Sequence, residues 1–227
     1  MPLEFIVFDL DNTLYARGSG VMEEIGHRIQ IWLCRELGLT WEKAGDLRRE
    51  YLREHGTTMG GLMSEHSVDV SHYLDFVHEI RVDEHLEPEP ALMGMLKRIP
   101  LRKVVYTNAT SAHGRRVLHA LGIYEQFERI IGIEEVGLHN KANREAYECM
   151  LELLEASGRE CVMVEDSPRN LPAAKATGMT TILVGTEPRS EGMDVAEEYV
   201  DFAVKSILDV ELVIEGLLAE DGGGTVP

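Results

Sequence analysis

Phe5-Ile6-Val7-Phe8-Asp9-Leu10-Asp11-Asn12-Thr13 is a short apolar run that ends in two carboxylates and a turn. The run is far too short to cross a membrane and has the length and β-branched or aromatic character of a buried strand. Past its end, alternation along an extended chain sends Asp9 and Asp11 to one side and Leu10 to the other. Two carboxylates so close are not both stable as anions unless a cation lies between them or one keeps a proton. Both remedies serve catalysis, because a metal-bound carboxylate can attack phosphorus and a protonated neighbour can supply the leaving oxygen with its proton. Taken alone, an Asp-x-Asp at a strand end is equally well an ordinary turn.

Outward from this stretch, further apolar runs bounded by turn residues occur at 103–106, 129–133, 161–164, 181–184 and 199–204, with 4–8 as the first. Helical patterns alternate with them. Residues 143–157 place Ala146, Met150 and Leu153 on one face behind Asn143 as a cap, and residues 206–220 carry Ile207, Val210, Ile214 and Leu217 as a stripe. That alternation predicts an α/β fold, a Rossmann-like core with a largely parallel sheet. The rhythm breaks between Thr13 and Lys103, where helices are expected at 19–37, 41–55, 59–65 and 69–80, with Gly38 and Gly56 as stops. The expected organisation is a core of residues 1–14 and 86–220, an inserted α-helical cap over 15–85, and a disordered tail over 221–227 containing Gly222-Gly223-Gly224.

Composition narrows the function classes. The 227 residues are 44% hydrophobic and 27% charged, enough for a substantial core and unlike a disordered chain. Lys+Arg 22 against Asp+Glu 40 gives a net charge of −18, which repels nucleic-acid polymers and anionic membrane surfaces. A small anionic substrate stays compatible, because a local cation or metal dominates a pocket whatever the global sign. Cys34, Cys149 and Cys161, odd in number and widely spaced, fit a reducing cytoplasm, and the N-terminus shows neither a secretion signal nor an anchor. Oligomeric state is not encoded in any feature of the chain.

Ligands of open α/β sheets bind at the carboxyl ends of the strands, near the point where the strand order reverses. Two other runs end in polar residues there: 103–106 in Thr107-Asn108, and 161–164 in Glu165-Asp166-Ser167. Asp9, Glu165 and Asp166 form a hard-oxygen set suited to Mg²⁺, and the lack of Cys and His in the set disfavours zinc. A phosphate facing these acids needs a fixed cation. Lys141, in His139-Asn140-Lys141-Ala142, is the candidate, although spacing alone reads a loop lysine as a solvated surface charge. The cap histidines His55, His66, His72, His78 and His85 have no shared helical face and read as scattered surface residues.

Asp9-Leu10-Asp11-Asn12-Thr13, Thr107, Lys141 and Glu165-Asp166, in that order, resemble the four motifs of the haloacid dehalogenase superfamily of phosphohydrolases, over residues 4–185. The inserted helices resemble its first cap type. Glu54 to Leu62, with Leu10 to Tyr15, Val105 to Asn108 and Asp166 to Leu171, are similar to the pyrimidine 5′-nucleotidase branch. The resemblance implies a Mg²⁺-dependent phosphomonoesterase with Asp9 as nucleophile, forming an aspartyl-phosphate, and Asp11 as general acid and base. Thr107, Asn108 and Lys141 would hold the phosphoryl oxygens. Asp9, the Asp11 carbonyl, Asp166 and Glu165 would bind the metal. Tyr15, Thr57, Thr58 and Gly60 would face the substrate, a nucleoside 5′-monophosphate. Two positions depart from the family pattern: Ala142 replaces the usual proline, which loosens the loop, and Glu165 replaces the branch's aspartate, which lengthens a ligand arm. The alternatives are a phosphatase of another small metabolite, such as phosphoglycolate or a sugar phosphate, and a receiver-like phosphoacceptor module, the latter disfavoured by motif order and length.

Overall fold

The computed structural model describes residues 2–185 and 197–222. Strand β1 (Phe5–Phe8) is followed by four helices, α1 (Val21–Leu37), α2 (Trp41–His55), α3 (Thr58–Glu65) and α4 (Val70–His78). Then α5 (Pro90–Arg98) leads into β2 (Arg102–Tyr106), α6 (Ser111–Ala120), β3 (Arg129–Ile131), α7 (Arg144–Leu154) and β4 (Cys161–Glu165). The chain continues through α8 (Leu171–Ala176), β5 (Thr180–Val184), β6 (Phe202–Val204) and α9 (Val210–Gly222). It divides into two compact units, Met1–Ala16 with Glu87–Pro227, and Arg17–Leu86.

In the first unit the six strands form one sheet in the order β3-β2-β1-β4-β5-β6, and every neighbouring pair is parallel. A parallel sheet covered on both faces needs nearly unbroken apolar strands, which the sequence supplies. Phe5, Val7, Val104, Tyr106, Cys161, Met163 and Leu183 bury one face together with Ala146, Tyr147 and Met150 of α7 and Leu171 and Ala174 of α8. The residues between them, Ile6, Phe8, Val105, Val162, Val164 and Ile182, are equally buried on the opposite face. With β1 flanked by β2 and β4, the strand order reverses there, so the chain ends leaving β1, β2 and β4 are neighbours.

The second unit has its own core. Val21, Ile25, Trp32 and Leu33 of α1, Ala44 and Tyr51 of α2, Met59 and Leu62 of α3, and Tyr73, Leu74 and Val77 of α4 are buried. Trp32 meets Tyr73 edge to face, with ring centroids 5.1 Å apart. Gly38 (φ 66°) and Gly56 (φ 80°) terminate α1 and α2 in left-handed backbone, as expected of glycine stops. Thr40, Thr57 and Asp69 cap the next three helices by accepting backbone N–H bonds.

Several expectations change. Asn143 and Asn170 precede α7 and α8, but neither side chain makes a capping bond. Instead the Asn143 N–H donates to the Asn140 carbonyl (2.9 Å), so this turn is closed through backbone. Ile133 leaves the sheet to begin a 3₁₀ turn, Ile133–Val136, and a further helix, α5, covers Pro90–Arg98 with Pro90 at its first turn. His78 is buried rather than surface, bonded through Nδ1 to the Leu74 carbonyl (2.9 Å). Helix α9 runs through Gly222, where the last turn tolerates glycine; the remainder of the expected tail, 223–227, lies outside the described residues. Among the described residues no helix is long and apolar enough to cross a membrane.

Candidate active site

The turn that follows β1 arranges the acids. The Asp9 N–H continues the sheet to the Val164 carbonyl (2.8 Å), and the Leu14 N–H closes a single turn on the Leu10 carbonyl (3.0 Å). Asn12 occupies left-handed backbone (φ 64°), a conformation asparagine tolerates better than most residues. This turn brings residues four apart side by side. The Thr13 hydroxyl donates to Asp9 Oδ2 (2.8 Å), and the Tyr15 hydroxyl donates to Asp11 Oδ1 (2.6 Å).

Lys141 comes to the same place from the loop before α7. Its side chain is 1% exposed, and its ammonium donates to Asp9 Oδ1 and to Glu165 Oε2 (2.8 Å). The surface-charge reading of this lysine is therefore wrong: two strand ends, those of β1 and β4, supply acids whose burial requires a buried cation. Its loop is well tied. The Lys141 N–H donates to Asn108 Oδ1 (2.9 Å), and the Ala142 N–H donates to Asn140 Oδ1 (3.0 Å). Proline at 142 would lack that second N–H, so Ala142 does not leave the loop loose; the Asn140 side chain replaces the rigidity of a proline ring. Thr107, after β2, is 1% exposed, accepts the Ala109 N–H at Oγ1 (2.9 Å), and has its hydroxyl 3.5 Å from Asp11 Oδ2.

Burial first, and then Glu165, push the Asp9 carboxyl upward, against the pull of Lys141. Burial likewise raises Glu165. Burial works against the Lys141 ammonium, but Asp9 and Glu165 outweigh it and hold its pKa above the ordinary lysine value. One lysine thus faces more carboxylate than it can neutralise, since Asp11 and Asp166 lie beside the pair. Ligand oxygens of Asp9, Glu165 and Asp166 all lie within 4.8 Å of one another. A hard, acid-rich donor set with a charge deficit is chemically suited to Mg²⁺. Glu165 spends one oxygen on Lys141 and the other on the Ser167 N–H (3.1 Å), so its first task is to anchor the lysine.

Of the residues singled out from the sequence, Asp9, Asp11, Thr107, Asn108, Lys141, Glu165 and Asp166 gather at the carboxyl ends of β1, β2 and β4. Asn108 holds the backbone of the lysine loop. Tyr15 is 7% exposed with its hydroxyl on Asp11, in the same cluster. Thr57, Thr58 and Gly60 belong to the other unit. There Thr57 caps α3 by accepting the Gly60 N–H (2.9 Å), Thr58 is buried, and a Cβ on Gly60 would lie 3.1 Å from the His55 carbonyl oxygen. Sequence reasoning passed over Thr13 and His113. Thr13 was legible from its spacing of four from Asp9 in a turn. His113, fully buried on α6 with Nε2 3.4 Å from Asp11 Oδ1, carried no signal, because its contact spans 102 residues.

Comparison with known proteins sets this geometry in context. The profile of haloacid dehalogenase-like hydrolases matches residues 3–178. Phosphate metabolism protein 8 of Saccharomyces cerevisiae is 27% identical over 132 residues, which cover 54% of this chain and 41% of that protein. The match thus spans about two-fifths of the curated relative's length. A HAD phosphatase from Thermococcus onnurineus has a similar fold, with a TM-score of 0.63 and 18% identity over 94% of this chain and 99% of the other. The L-2-haloacid dehalogenase of Xanthobacter autotrophicus is similar at a TM-score of 0.58 and 17% identity, over 94% and 99% of the two chains.

Proposed function

The chain belongs to the haloacid dehalogenase-like hydrolases, and from that premise we propose that it is a Mg²⁺-dependent phosphomonoesterase of the cytoplasm that works through an aspartyl-phosphate on Asp9. The observation that carries the reading is the second carboxylate: Asp11, two residues past Asp9, hydrogen-bonded on its own and separate from the Lys141 and Glu165 ion pair. A halide leaves without a proton, whereas the alkoxide of a phosphate ester needs one, so a second acid at this place favours ester cleavage over dehalogenation. That a relative 27% identical over 132 residues is called a phosphate metabolism protein supports the same choice.

Roles follow from the contacts. Lys141 and Thr13 fix the two oxygens of Asp9, which aligns the carboxylate for attack on phosphorus. The bond from an Asp9 oxygen to phosphorus forms as the bond from phosphorus to the leaving oxygen breaks, and Asp11 gives that oxygen its proton. Asp11 then takes a proton from the water that attacks the phosphoryl group, releasing phosphate and restoring Asp9. Thr107, through its hydroxyl, and Lys141, through its ammonium, hold phosphoryl oxygens. Asp9, Asp166 and the Asp11 carbonyl would hold Mg²⁺, with Glu165 beside them, and the ion would supply charge neutralisation for the phosphoryl oxygens.

The substrate is a small phosphorylated metabolite. We assign it as a nucleoside 5′-monophosphate, pyrimidine by preference, with the 17–86 unit as the cap that reads the leaving group. The resemblance of Glu54 to Leu62 to the pyrimidine nucleotidase branch supports this. Phosphate release from UMP, CMP, dUMP, AMP, GMP, phosphoglycolate and a sugar phosphate, in Mg²⁺ or in EDTA, tests it. Release that favours UMP and CMP, needs Mg²⁺ and disappears in Asp9→Asn is the expected result. Preference for another ester would discard the nucleotidase assignment, and no Asp9-dependent release from any ester would discard the phosphatase.

A further inference from the structure

Asp11, like Asp9, must present one particular oxygen to do its work. Its side chain is 16% exposed, so water can compete for it, and it stands on a short turn. Two buried groups reach the same oxygen, Oδ1: the Tyr15 hydroxyl at 2.6 Å, four residues along the turn, and His113 Nε2 at 3.4 Å, from α6. The other oxygen, Oδ2, lies 3.5 Å from the Thr107 hydroxyl, on the side where the phosphoryl group is assigned. Burial and then Asp11 raise the Tyr15 phenol above its ordinary value, so it stays protonated and donates at neutral pH. Oδ1 is an acceptor, so in this contact His113 Nε2 is the donor.

We propose that Tyr15 and His113 are positioning residues that clamp Oδ1 of Asp11 and thereby make Oδ2 the oxygen through which protons pass. The inference rests on the phosphomonoesterase reading above. With Oδ1 occupied by two donors, the carboxylic proton resides on Oδ2, and Oδ1 is the carbonyl oxygen that accepts from the clamp. As the phosphorus to leaving-oxygen bond breaks, its electron pair takes the Oδ2 proton. Asp11 becomes a carboxylate, the product is an alcohol, and Asp9 carries the phosphoryl group. In the second half, Oδ2 takes a proton from the attacking water as the Asp9 oxygen to phosphorus bond breaks, which returns every group to its starting state. Without the clamp the carboxyl rotates, and its acidic oxygen meets the leaving group less often.

A merely structural role would damage all substrates alike, whereas a misaligned acid slows the first half-reaction, which kcat/KM reports, only for a leaving group that needs a proton; the second half-reaction is common to all esters. The test therefore compares UMP, or another alkyl phosphate that the wild type turns over, with p-nitrophenyl phosphate, whose phenolate leaves unassisted. Tyr15→Phe should lower kcat/KM on the alkyl ester at least about tenfold and lower kcat/KM on p-nitrophenyl phosphate by less than about threefold. His113→Leu should show the same split, smaller because its bond is longer, and His113→Gln, which keeps an N–H, should restore part of it. Should His113→Leu fail to fold, Tyr15→Phe, which keeps the buried ring, decides alone. Equal losses on both esters, or no loss on the alkyl ester, would overturn the clamp while leaving the phosphatase intact. A wild type that releases phosphate from neither ester would overturn the phosphatase reading itself, and the clamp with it.

Discussion

Lys141 and Asp9 show what burial does to single residues. An ammonium that is 1% exposed and shared by two buried carboxylates is held in place by charge, and its removal leaves two buried acids without their counter-charge. Lys141→Met is expected to cost about 3–5 kcal/mol at neutral pH, read as a lower urea midpoint at unchanged slope. The sign of the pH dependence follows. Without the lysine, the folded pKa values of Asp9 and Glu165 rise further above their unfolded values. Stability from such groups is present below the unfolded pKa and is lost as pH rises through the folded one. The variant's deficit should therefore grow as pH rises above about 7, where Asp9 of the wild type ionises against the lysine, and a deficit independent of pH would show that the pair is not what the lysine holds. Asp11→Asn makes the complementary test, with kcat on an alkyl phosphate falling about 100-fold or more and Mg²⁺ binding, measured by calorimetry, retained. Much of this was readable at the start: the Asp-x-Asp spacing and the polar ends of two more runs pointed to one edge of the sheet. The burial of Lys141 was not readable, because a loop lysine is identical in sequence whether it faces water or two strand ends.

The elements are where local pattern and tertiary packing can be told apart. Apolar runs located all six strands, since a sheet covered on both faces leaves nearly continuous hydrophobic segments. Helix α5 is too short a pattern behind Pro88 and Pro90 to be read as a helix, and Asn143 precedes α7 without its side chain reaching the helix's first N–H groups. Packing between elements fixes two testable positions. In the helical unit a Cβ on Gly61 would lie 2.1 Å from Cγ of the buried Tyr51 ring, so the close approach of α3 to α2 at this point needs a glycine. Gly61→Ala should cost about 1–3 kcal/mol by thermal or urea unfolding, and a neutral effect would mean that α3 does not pack on Tyr51. In the core, Asp201 Oδ2 accepts the Thr181 N–H of β5 (2.9 Å) and Oδ1 pairs with Lys175 (2.6 Å). Burial pushes this carboxyl up, but the bonds from Lys175 and Thr181 outweigh it and leave it below the usual aspartate value. A depressed carboxyl contributes stability above its unfolded pKa and loses it as pH falls through the folded one. Asp201→Ala should thus be less stable than wild type at pH 7, with the gap closing below about pH 3, in unfolding curves taken across that range.

At the scale of the whole chain, the net charge of −18 and the fold divide the work. The fold is common to proteins with different reactions, as a phosphatase and a dehalogenase among the similar structures attest, so chemistry resides in the side chains at one sheet edge. The charge makes a specific cation valuable. Mg²⁺ that binds only the folded state raises stability by about 2.7 kcal/mol at a hundredfold excess over its dissociation constant. Wild type should therefore melt higher in MgCl₂ than in NaCl of equal ionic strength, and Asp166→Asn should lose that difference; equal melting in the two salts would contradict metal binding at the acid cluster. The proposed mechanism requires that Asp9 become phosphorylated during turnover. Its most direct test is acid quenching of the enzyme during turnover of a phosphate ester, followed by peptide mass spectrometry. The account predicts a phosphoryl group on the peptide that contains Asp9, removed by hydroxylamine and missing from Asp9→Asn. Turnover with no adduct, or with the adduct on another residue, would contradict it.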